Sequence, residues 1–154
     1  PLNINNPGTK MQKFKLNCQA EIEHINVRKE GDDEKELAVD LKLSAVTIHD
    51  VLFMLDDAID VFFFKSGGIV RNTALKPVGF DYELQHYALD MLGISYTGCV
   101  VKKIEVKPID GSMIALRFQV SLKPLNSDVS RMVEFIKELV EIKLYPQDGE
   151  LEFS

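Results

Sequence analysis

The sequence has only two cysteines and no long apolar run. Each of these two features excludes a class of protein. Neither Cys18 nor Cys99 lies in a CxxC motif or beside clustered histidines, so we expect two buried free thiols rather than a zinc site. Two cysteines without a secretory signal indicate a reducing compartment, and we predict a cytoplasmic protein. Three aspartates interrupt the most apolar stretch, residues 51–64, which excludes a membrane-spanning helix.

Catalytic and nucleotide-binding motifs are also missing. The histidines at 24, 49 and 86 have no serine, cysteine or carboxylate in the pattern of a catalytic triad. The run KSGG at residues 65–68 places its glycines after the lysine, unlike a phosphate-binding P-loop. We therefore predict a protein that is not an enzyme and that uses no cofactor.

Two acidic segments invite a metal hypothesis. Residues 30–36 form an acidic, glycine-bearing run without the alternating ligands of an EF-hand loop. Asp56 and Asp60 are one helical turn apart and Asp57 flanks them, but no histidine or second carboxylate helix accompanies them. Solvated acidic surfaces explain both segments, and we predict no metal site.

Charge and length limit the remaining choices. With 18 basic and 24 acidic residues the net charge is −6, which disfavours coating of duplex nucleic acid but leaves room for a local basic groove. A chain of 154 residues suits one domain. Residues 1–10, PLNINNPGTK, read as a flexible tail or a non-native addition, and residues 11–154 as a single domain.

Alternating apolar residues predict antiparallel hairpins. The clearest alternation runs over residues 114–122, and the Asp110-Gly111 turn before it pairs it with residues 99–107. An earlier hairpin joins the strand that starts near residue 12 to residues 37–46, with its tip at 30–36. The apolar phase of the first strand switches beside His24, which indicates a bulge or a change of sheet face.

Apolar residues at helical spacing predict two amphipathic helices, over residues 47–61 and from Asn126 onward. Residues 80–92 favour a strand bulged near His86, with a helix as competitor, followed by a turn at Gly93 or Gly98. A last short strand covers residues 141–145. We predict an α+β fold in which two helices pack on an antiparallel sheet of six to seven strands. A half-barrel curled around the first helix is the second choice.

The most unusual segment is residues 62–76, which joins three aromatic residues to a double glycine and contains no acidic residue. Single-strand nucleic-acid binding combines aromatic platforms with cations. The candidate site comprises two platforms, three phosphate contacts and two glycines for close backbone approach: Phe63, Phe64, Lys65, Arg71, Lys76, Gly67 and Gly68. The competing interpretation assigns the phenylalanines to the core and makes the loop merely mobile.

Two segments resemble hairpins of small uncharacterised bacteriophage and prophage proteins. They are NVRKEGDDEKELAVDLKLSA at residues 26–45 and CVVKKIEVKPIDGSMIALRFQV at residues 99–120. The shared order is a Met-led strand, an acidic hairpin tip, a DLKLSA-type strand and a late hairpin with a glycine turn, over residues 11–145. The resemblance implies a phage accessory protein in the host cytoplasm and carries over no functional residue.

We therefore predict a non-catalytic binding protein that engages a host or phage protein. The alternative is a single-stranded nucleic-acid-binding or recombination-accessory protein that uses residues 62–76. Exposed strand edges would also allow two copies to pair as a homodimer.

Overall fold

The computed structural model of the chain describes residues 14–33, 35–56, 58–71 and 76–147. The tail predicted at residues 1–10 lies outside these residues. The strands are β1 (Leu16–Glu30), β2 (Glu36–Ile48), β3 (Phe64–Lys65), β4 (Ile69–Val70), β5 (Val78–Phe80), β6 (Leu84–Met91), β7 (Ile94–Ile109), β8 (Met113–Leu122) and β9 (Leu139–Pro146). A 3-10 turn (His49–Val51) precedes α1 (Leu52–Leu55) and α2 (Ala58–Phe63), and α3 (Asn126–Glu134) lies between β8 and β9.

Six of these strands close into an antiparallel β-barrel. Neighbours pair in the order β7-β6-β9-β1-β2-β8, and β8 pairs again with β7. β5 pairs with the later part of β7, beyond the end of β6. The predicted sheet with two helices packed on it is wrong, because 61% of the structure is strand and 18% is helical. The half-barrel is wrong as well, since the β7–β8 pairing closes the ring of strands.

The hairpins that alternation predicts are confirmed. Asp110 and Gly111 form the turn between β7 and β8, and residues 31–33 form the turn between β1 and β2. The phase switch in β1 is a bulge, with a register shift between Ile22 and His24. The segment before Gly93 is a strand that loses register around His86, whose φ is +59°.

The two predicted helices are only partly confirmed. No continuous helix covers residues 47–61, because β2 runs to Ile48 and the helical part breaks at Asp56, whose φ and ψ are −163° and 114°. The Asp56 carboxylate instead accepts a hydrogen bond from the Ala58 N–H at 2.9 Å. The second helix starts at Asn126 as predicted but ends at Glu134, so that residues 139–146 extend as a strand.

The interior of the barrel is apolar, and helical segments lie at its two ends. At the end where β2 stops, α1 and α2 bury Leu52, Ile59 and Phe63 completely. At the other end, α3 buries Met132. Burial of such side chains stabilises a fold by about 1.5–3 kcal/mol each. None of the helices in the described ranges is long and apolar enough to cross a membrane.

Candidate functional site

β1 and β2 separate at the end of the barrel where β2 stops. Their pairing runs from Glu30 opposite Glu36 to Glu21 opposite Ser44 and goes no further. Residues 16–20 of β1 pair with β9 alone, and residues 45–48 of β2 pair with β8 alone. Within the described ranges, the two strands thus turn unpaired main-chain edges toward each other over four to five residues.

A groove of about 460 Å³ occupies this gap. One wall comes from the start of β1, the other from the end of β2, and the 3-10 turn and α1 contribute the remaining side chains. The lining residues are Lys15, Leu16, Asn17, Cys18, Val46, Thr47, Ile48, Asp50, Val51 and Met54.

The β2 wall of the groove continues into an exposed apolar patch on the outer face of the barrel. Val46 and Ile48 are 61% and 56% exposed. Directly opposite them on β8 lie Ala115 and Met113, and Met113 in turn lies opposite Ile109 of β7. Opposed side chains in antiparallel strands have Cβ atoms about 5 Å apart, so these five residues form one continuous surface, which we call the apolar patch.

The two cysteines differ in their access to solvent. Cys18 is partly exposed in the groove, and burial raises its pKa. Cys99 is fully buried, and burial raises its pKa to about 12. Both are free thiols, as predicted, but the predicted burial is confirmed only for Cys99 and is wrong for Cys18.

Residues 72–75 of the segment 62–76 lie outside the described residues, and the two predicted platforms are buried. Phe63 and Phe64 are 0% and 8% exposed, so both rings pack inside the protein and offer no open face to a base. Their rings meet edge to face at 6.3 Å between centroids. Phe62 is half exposed, although it was not among the predicted platforms.

One glycine and one cation of this segment also have partners within the chain. Gly68 approaches the backbone of Ser112 in the same chain, and its φ is +73°. The Arg71 guanidinium Nε donates a hydrogen bond to the Val61 carbonyl at 3.0 Å. Lys65 and Lys76 are exposed. The predicted role of these residues in nucleic-acid binding stays a prediction.

The histidine in this region lies between two carboxylates. His49 Nδ1 lies 2.7 Å from the Asp60 carboxylate, and its Nε2 lies 3.5 Å from that of Asp50. This arrangement joins the end of β2 to α2. Over the described part of the chain, no group of three His, Cys, Asp or Glu side chains is placed to hold a metal ion.

Sequence reasoning missed the groove, although a signal for it was present. Val46 and Ile48 fall on the outer face of β2, where alternation would place polar residues. Assigning Ile48 to a helix hid that pattern. Comparisons of the chain with family models, with curated proteins and with solved structures find no match, so the case for a function rests on this geometry.

Proposed function

We propose that this is a non-catalytic protein-binding protein that accepts an extended segment of a partner protein in the groove between β1 and β2. The separation of the two strands beyond Glu21 and Ser44 carries the proposal. It leaves strand edges whose N–H and C=O groups have no partner strand within the described ranges. An extended segment satisfies such groups by adding a strand to the sheet.

The apolar patch supplies a second contribution to binding. Alternate side chains of an added strand point to one face, where they would meet Val46 and Ile48. Burial of an exposed valine or isoleucine contributes at most about 1.5–3 kcal/mol. Main-chain hydrogen bonds would then hold the segment, and the apolar contacts would select partners with apolar residues at alternate positions.

The length of the exposed edges limits the segment. Four to five residues of strand at about 3.3 Å each span roughly 13–17 Å. A segment of this length suits the groove of about 460 Å³. The resemblance to phage proteins fits this role, because an accessory protein that redirects a host or phage protein needs only a binding surface. The alternative use of residues 62–76 for single-stranded nucleic acid has less support, since Phe63 and Phe64 are buried.

A random-peptide display library selected on the wild-type protein tests the proposal. We expect the enriched peptides to lack proline and to carry apolar residues at alternate positions. Val46→Glu should abolish their binding, because it places a charge on the apolar patch. Val27→Glu is the matched control, since Val27 is also a half-exposed strand valine but lies outside the groove. Thermal denaturation checks that both variants remain folded.

Three results would overturn the proposal. The first is peptide selection that does not depend on the groove, seen as equal loss of binding in both variants or as no enrichment at all. The second is peptide binding that appears only after residues 1–13 are removed, which would assign the groove to that segment. The third is a solution mass of two chains that falls to one in Val46→Glu, which would assign the groove to a second copy.

A further inference from the structure

A polar cleft of about 710 Å³ lies on the outer face of the barrel and shares no lining residue with the groove between β1 and β2. Side chains from β1, β2, β7 and β8 form most of it. Its carboxylates number three and its cations five, an excess of two positive charges in a chain whose net charge is −6. The carboxylates are those of Glu30, Asp40 and Glu83, and the cations are Arg28, Lys42, Lys102, Lys103 and Lys123.

A row of hydrogen-bond donors crosses this cleft from strand to strand. His24 lies opposite Lys42, Lys42 opposite Gln119, and Gln119 opposite Lys102. We call these four residues the lysine row. Neighbouring strands are about 4.8 Å apart, so the two lysines start about 10 Å from each other. Lysine side chains are long and flexible enough to converge on one ligand over that distance.

The rows on either side of the lysine row neutralise their own charge. On one side, Arg117 lies 2.9 Å from the Glu23 carboxylate and 3.5 Å from that of Glu105. On the other, the Arg28 guanidinium donates two hydrogen bonds to Asp40, at 2.8 and 2.9 Å. Both arginines are therefore already paired with carboxylates of the protein itself.

Lys123 lies 2.7 Å from the Glu36 carboxylate, but three other lysines of the cleft have no such compensation. For Lys42, Lys102 and Lys103, no carboxylate of the described residues lies within 4.0 Å of the ammonium group. Like charges held close together on a sheet repel each other. An anion between them would relieve that repulsion, whereas the flanking rows have no need of one.

A bulge in β7 increases the positive charge of the cleft. Register is lost between Lys102 and Glu105, and Lys103 has a φ of +55°. Strict alternation would turn Lys103 toward the interior, but both lysines line the cleft. The left-handed backbone is unfavourable for a residue other than glycine, so the bulge puts a second cation beside Lys102 at an energetic cost.

We propose that this cleft binds a compact multivalent oxyanion, such as the polyphosphate group of a small ligand. Ammonium and amide groups are the donors that phosphate oxygens accept from. No phenylalanine, tyrosine or tryptophan is among the described residues that line the cleft. The His24 imidazole is thus the one aromatic ring among these residues, and a single ring favours a compact anion over the successive stacked bases of a nucleic-acid strand.

Calorimetric titration of the full chain with inorganic tripolyphosphate tests this proposal. The double variant Lys42→Gln with Lys102→Gln should weaken binding by about tenfold or more, because both cations would contact the anion. Lys107→Gln with Lys143→Gln is the matched control, since both lysines are exposed on strands outside the cleft and the change in net charge is the same. The control should bind within about twofold of the wild type.

Amide chemical shifts locate the anion independently of affinity. Addition of tripolyphosphate should move the amide signals of Lys42, Gln119 and Lys102 and leave those of the groove between β1 and β2 unchanged. Equal weakening in both double variants, or no binding by the wild type at low salt, would overturn the proposal. So would tighter binding of a single-stranded oligonucleotide that competes with tripolyphosphate, because the cleft would then serve a nucleic acid.

Discussion

The carbonyl oxygen of Gly68 accepts a hydrogen bond from the Ser112 backbone N–H at 3.2 Å. The N–H of Gly111 donates to the same oxygen at 3.0 Å. A Cβ atom on residue 68 would lie 2.3 Å from the Ser112 Oγ. The β3–β4 hairpin therefore packs against the turn between β7 and β8. Glycine at position 68 permits this close contact with Ser112.

Gly68→Ala should destabilise the fold more than Gly67→Ala. Both glycines have a left-handed φ, which costs alanine about 1–2 kcal/mol. Only residue 68 has a neighbour within 4 Å of the added Cβ, and such overpacking costs a further about 1–3 kcal/mol. Chemical denaturation measures the difference. Equal free energies of unfolding for the two variants would contradict the close approach to Ser112.

Local sequence pattern predicted the hairpins because alternation reports which face of a strand is buried. Alternation is strong in β1, β2 and β8, where the strands cross the barrel with one apolar face. Closure of the barrel depends on which strands meet, as when β9 pairs with both β1 and β6. No local period encodes that choice, so a sheet with two packed helices was the expectation.

Only one wall of the groove could have been predicted, for a related reason. Pairing of β1 with β2 ends at Ser44, yet β2 continues to Ile48 because β8 supports it. The exposed Val46 and Ile48 were visible in the sequence, but the open edge beside them depends on tertiary pairing. In residues 62–71, Phe63 and Phe64 are buried, and composition alone could not distinguish buried rings from exposed stacking platforms.

Asp40→Asn should destabilise the protein at neutral pH and much less in acid. The Arg28 guanidinium holds the pKa of Asp40 well below its usual range, with further hydrogen bonds from Ser121 and Asn26. A lowered pKa in the folded state means that the ionised carboxylate stabilises the fold above about pH 4 and that this contribution is lost as the pH falls. Loss of a hydrogen bond to a charged group costs about 1.5–3 kcal/mol.

Urea denaturation between neutral pH and about pH 2 measures this dependence. The difference in the free energy of unfolding between wild type and Asp40→Asn should become smaller below about pH 4. Asp32→Asn serves as the control, because Asp32 is exposed in the β1–β2 turn and should leave stability nearly unchanged at every pH. A gap that stays constant into acid would show that Asp40 acts through shape and not through its charge.

Tyr87→Phe should lower the free energy of unfolding by about 1–2 kcal/mol. The Tyr87 hydroxyl donates a hydrogen bond to the Phe14 carbonyl at 2.7 Å, and the side chain is fully buried. Phenylalanine keeps the ring and removes the donor. Burial also raises the pKa of Tyr87 above its usual range, so its phenol should ionise only when the protein unfolds. Thermal denaturation measures the loss of stability, and alkaline spectrophotometric titration measures the ionisation of the phenol. Unchanged stability in Tyr87→Phe would contradict the role of the hydrogen bond.

Thiol labelling should distinguish the two cysteines and report on the groove. We expect a reagent such as dithionitrobenzoate to modify Cys18 in the folded protein and Cys99 only on unfolding, because Cys99 is buried with a pKa of about 12. Cys18 should react more slowly than an exposed cysteine at the same pH, since its raised pKa leaves less thiolate. Cys18→Ser should remove the first phase, and Cys99→Ala should leave it. A peptide bound in the groove should slow that phase further, whereas labelling of Cys18 at an unchanged rate would place the peptide elsewhere.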